Sequence, residues 1–65
     1  MKTDKEILKE LEAEVTRLEN RQVTILGEYT HSSETKRGEL AEEYDALHWR
    51  IKALNRRVAL LKQEL

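Results

Sequence analysis

Asp45 and His48 lie three residues apart, and a carboxylate and an imidazole at that spacing on a helix make half of a metal-binding face. The other half is missing. A di-metal site in a helical bundle needs several inward carboxylates, and the inward positions here are Leu, Ile, Val and Tyr. A solvent-side histidine near Glu12 or Glu19 is the better reading. His31 falls in the stretch GEYTHSSETKRG, residues 27 to 38, and reads as a polar loop residue. Ser32 and Ser33 have no neighbouring base and no glycine-rich nucleophile turn, whereas both make good helix N-caps. Phosphate-loop and zinc spacings are absent. The chain has no cysteine, so thiolate sites and disulfides are excluded. No enzymatic activity, cofactor or metal is expected.

Trp49 suggests binding instead. It is the single tryptophan, and Lys52 and Arg56 follow it by three and seven residues on one helix face. Trp and Arg are enriched at binding hot spots, and the same trio could stack on bases and pair with phosphates. The plainer role is a tryptophan half covered by its neighbours or buried in a self-association contact.

The elements that would position this face can be read from composition and spacing. The 65 residues include no proline and two glycines, and 38% are charged, which favours long helices. Leu8, Leu11, Val15, Leu18, Gln22, Ile25 and Tyr29 are spaced 3-4-3-4-3-4. Leu40, Tyr44, Leu47, Ile51, Leu54, Val58, Leu61 and Leu65 are spaced 4-3-4-3-4-3-4. Each set is a heptad seam. The two are out of phase by one residue, and no large apolar side chain lies between Tyr29 and Leu40. Thr3 with Glu6 reads as a capping box. The expected fold is all-α: an antiparallel two-helix coiled-coil hairpin formed by residues 1–65 as one domain. Its helices run over about 3–29 and 34–64, joined by a turn at about 30–33. The alternative is a long continuous helix in a parallel coiled coil. That helix would have to carry Gly27 and Gly38 and set the basic run RIKALNRRVALLK beside its own copy.

Two registers suit an antiparallel pair. Facing residues whose numbers sum to 62 puts Leu8 on Leu54, Leu11 on Ile51 and Val15 on Leu47, and makes the flanking pairs Glu14–Arg50, Arg21–Glu43 and Glu28–Lys36 opposite in sign. A sum of 69 sets Arg21 against Arg50 and Glu28 against Glu43. Charge favours 62. Exposed pairs contribute little, so this selects a register more than it stabilises one.

A chain this short builds little core alone, so a homo-oligomer is expected, with the hairpin dimerising into a four-helix bundle. Ile7 and Leu26 flank the first seam. Ala46, Trp49, Ala53 and Leu60 form a second stripe on the second helix, and Ala13, Asn20 and Gly27 leave a shallow face on the first. Lys plus Arg number 12 against 13 Asp plus Glu, a balance that argues against a strongly basic nucleic-acid binder. No unbroken apolar run suggests a signal peptide or membrane anchor. A complete, soluble cytoplasmic protein is the expectation, with a fragment as the alternative. The function expected is a non-enzymatic helical protein–protein interaction module that self-associates and binds a partner protein through Trp49, Lys52 and Arg56. The alternatives are a small nucleic-acid-binding four-helix-bundle regulator and a purely structural oligomerisation segment.

Overall fold

The structure, a computed structural model describing all 65 residues, is a hairpin of two helices packed side by side. Helix α1 spans Asp4–Thr30 and helix α2 spans Glu34–Glu64. The continuous helix is therefore not what forms. Thr3 caps α1, its hydroxyl accepting from the Glu6 backbone N–H at 3.2 Å. The second half of the capping box differs from expectation: the Thr3 hydroxyl lies 3.3 Å from the Glu6 carboxylate, to which it donates. Ser33 caps α2 by accepting from the Lys36 N–H at 3.4 Å.

The turn is held by groups from both helices. The His31 N–H donates to the Glu28 carbonyl at 3.1 Å, and the Ser32 hydroxyl donates to the same carbonyl at 2.6 Å. Arg37, one turn into α2, donates from Nε to the Tyr29 carbonyl at 3.1 Å and sets its guanidinium 5.5 Å from the Tyr29 ring centroid. The last turn of α1 carries no basic residue of its own. Arg37 thus supplies the cation that the negative end of α1 favours.

Every seam residue from Leu8 to Ile25 and from Leu40 to Leu61 is buried or half-buried; only Tyr29 and Leu65, at the ends, are exposed. Ile25 and Leu40 are the most enclosed, at 1% and 2% exposure, and Val15 and Val58 complete the buried set. Burying such a side chain contributes about 1.5–3 kcal/mol.

The register is not the one charge favours. In the 62 register Ile25 would face Arg37 and Val58 would face Asp4, yet both apolar side chains are buried and Asp4 is exposed. Ile7 and Leu11 share a groove with Leu60 and Leu61, and Leu26 and Tyr29 share one with Ala41 and Tyr44. Those cross-helix sums run from 67 to 73. The molecule is 46 Å long, about the length of a 31-residue helix at 1.5 Å per residue. The burial and the two grooves both fit a sum of 69, which faces Val58 with Leu11, Leu61 with Leu8 and Ile25 with Tyr44.

The ion pairs explain how like charges are tolerated there. Glu14–Arg50 and Arg21–Glu43 both form, at 3.8 Å and 2.9 Å, because each arginine runs along the helix to a carboxylate instead of meeting the other arginine. Arg21 binds Glu43 through two nitrogens, at 2.9 and 3.0 Å, and lies 3.8 Å from Glu28. It therefore sits between the two carboxylates that this register brings together. The hydrogen bond from Arg21 holds the Glu43 carboxyl below the usual carboxylate range. Lys36 turns to Glu39 at 3.8 Å, so the Glu28–Lys36 pair does not form. Buried apolar side chains outweigh exposed pairs. A chain carrying Leu11→Cys and Val58→Cys should oxidise to an intramolecular disulfide. Leu11→Cys with Ile51→Cys, about 10 Å away along the axis, should not; efficient closure of that second pair would restore the 62 register.

Candidate contact face of α2

On α2 Trp49, Lys52, Ala53, Arg56, Arg57 and Leu60 surround one shallow depression, whose edge toward α1 is Arg57 and Leu60, the two that also line the groove with Ile7 and Leu11. Helix periodicity places the outer ones there: with Ile51, Leu54, Val58 and Leu61 turned inward, residues 49, 53 and 56 point away. Trp49 is 64% exposed and Leu60 54%. The Lys52 ammonium stands 5.2 Å from the Trp49 ring centroid, and the His48 ring meets Trp49 edge-on at 5.6 Å. This cation–π contact and the histidine edge hold the indole in place while leaving most of it in solvent.

The three candidate binding residues are thus brought together, and Arg57 joins them. Lys52, Arg56 and Arg57 take part in none of the ion pairs, whereas Arg50 reaches Glu14 and Lys62 reaches Glu12 at 3.7 Å. Three cations without a carboxylate partner thus surround this one depression. Arg57 flanks the seam and makes no ion pair, the carboxylate of Glu14 being taken by Arg17 and Arg50.

Other apolar exposure lies elsewhere. Val23 and Leu26 are exposed on α1 near the turn, Val23 more than Trp49, although its position carries no seam signal. Leu26 and Tyr29 line a groove with Ala41, Tyr44 and Asp45, so Asp45 borders that groove while His48 packs on Trp49. No three His, Asp or Glu side chains gather where they could hold a metal ion, and no helix is long and apolar enough to cross a membrane.

Fold and face together define a small all-α helical hairpin with an apolar, basic outer surface. No family model matches the chain, and no curated protein or solved structure matches it either.

Proposed function

We propose that the chain is a non-enzymatic helical protein–protein interaction module whose contact surface is the outer face of α2. The observation that carries this reading is Trp49, exposed with Lys52 over its ring and with Arg56 and Arg57 further along the same depression, none of the three having a carboxylate partner. A large aromatic side chain left in water forgoes burial that a partner supplies. The two seams pack as an antiparallel coiled coil, and the module self-associates into a four-helix bundle in a cytoplasmic setting. Affinity capture from the native host tests the contact surface, with retained proteins identified by mass spectrometry. Wild type should retain a Trp49-dependent set, second copies of the chain included, that Trp49→Ala loses. Identical sets from the two would contradict the proposal.

Lys52, Arg56 and Arg57 favour one other reading, a nucleic-acid contact. It ranks second because the depression offers only three free cations. They would give a salt dependence no steeper than a slope of about −3 on logarithmic axes, and non-specific affinity of that kind is weak.

A further inference from the structure

The outward stripe of α2 runs through Glu39, Glu42, Ala46, Trp49, Ala53 and Arg56 at 3-4 spacing. It is acidic toward the turn and basic toward the C-terminus, with Trp49 between. Such a stripe is complementary to itself when reversed. We propose that the occupant of this face is a second copy of the chain, its α2 antiparallel to the first. Facing residue numbers sum to 95, and the two-fold axis passes between Leu47 and His48. This rests on the outer face of α2 being the contact surface, and it names the partner.

Three kinds of observation converge. Antiparallel pairing at this sum seats each Trp49 on Ala46 of the partner subunit, a large side chain on a small one, twice by symmetry. The flanking positions then pair Asp45 with Lys52 of the partner subunit, also twice, and the stripe faces Arg56 with the partner's Glu39. Asp45 has no ion pair within the hairpin, and neither has Lys52 or Arg56.

Gly38 is the second kind of evidence. A glycine inside a helix costs about 1 kcal/mol relative to alanine, yet a Cβ at Gly38 would meet nothing within 4 Å. The hairpin itself gives no reason for it, nor for Gly27 on α1, where a Cβ would also meet nothing. In the antiparallel pair Gly38 lies beside Ala59 of the partner subunit, where small side chains let the helices approach closely.

Area gives the third. The chain exposes 5289 Å², against about 4,300 Å² for a compact monomer of its mass. The excess is close to the roughly 800 Å² that each partner buries in a standard interface.

The competing register decides the sum. At 102 Trp49 would seat on the partner's Ala53 just as well, but Lys52 would face Lys52 of the partner subunit. Within the hairpin apolar burial overruled charge; here the burial is equal, so charge selects.

Sedimentation equilibrium on the full chain should give twice the 7.7 kDa chain mass. Asp45→Lys and Lys52→Asp should each weaken association by about tenfold or more, since two attractive pairs become repulsive. The combined exchange should restore it to within about threefold. Asp45→Cys with Lys52→Cys, seven residues apart on one helix and too distant to bridge within a chain, should oxidise to a covalent dimer. A wild-type monomer at high micromolar concentration, or a double exchange as weak as the singles, overturns the proposal. If the wild type is monomeric while Trp49-dependent capture of another protein persists, the contact face stands and only self-docking fails. Loss of both ends both, and selective retention of nucleic acid by the same face promotes the other reading.

Discussion

Replacing Ile25 with alanine should destabilise the hairpin by about 2–5 kcal/mol, enough to unfold most of it. Ile25 is 1% exposed, the most enclosed side chain in the chain. It lies one turn before the end of α1, where its loss leaves a cavity that a short turn cannot close. Only four residues are buried, so no second layer of core compensates. Single cores below about 70–80 residues rarely supply more than 3–5 kcal/mol. Leu40→Ala should behave alike. Val23→Ala, at a 69% exposed position two residues from Ile25, should change stability by no more than about 0.5 kcal/mol. Urea titrations followed by helical circular dichroism compare the three. Similar midpoints for Ile25→Ala and Val23→Ala would mean that the seam does not form the core.

Trp49→Ala should do the reverse: leave helicity intact and weaken association by at least about thirtyfold, the scale of an interface hot spot. The indole is 64% exposed in the single hairpin, where its contacts are Lys52 and the His48 edge. Removing it therefore costs the fold little. In the proposed pair it fills the space over the partner's Ala46 at both symmetric sites, so every dimer loses two anchors. Trp49→Phe should recover part of the loss. Unchanged association in Trp49→Ala would make the residue a bystander.

The helices and their turn were legible because local signals agreed. Thr3 and Ser33 mark the two starts, the heptad seams mark the inward faces, and the phase slip with its apolar gap marks the bend. The register was not legible from charge. Glu14–Arg50 and Arg21–Glu43 do form, but arginine is long enough to reach them from a register one heptad away. Counting which apolar residues each register leaves unpaired would have found it: Ile25 and Val58 have no apolar partner at 62 and have one at 69. Arg37 was hidden for another reason. It occupies a seam position where a leucine would continue the pattern, and only the path of the turn shows that it closes the end of α1. On the outer face Trp49, Lys52 and Arg56 could be grouped from spacing alone, because helix periodicity fixes direction. Arg57 could not, since its freedom depends on where α1 lies.

Collisional quenching of Trp49 fluorescence by acrylamide across a dilution series tests the contact-face account most directly, because the chain has one tryptophan and it sits at the centre of the face. The indole should be shielded at high micromolar concentration and quench freely on dilution, with the change following the loss of mass seen by sedimentation. An indole that quenches freely at every concentration, in a sample whose mass shows association, would contradict it.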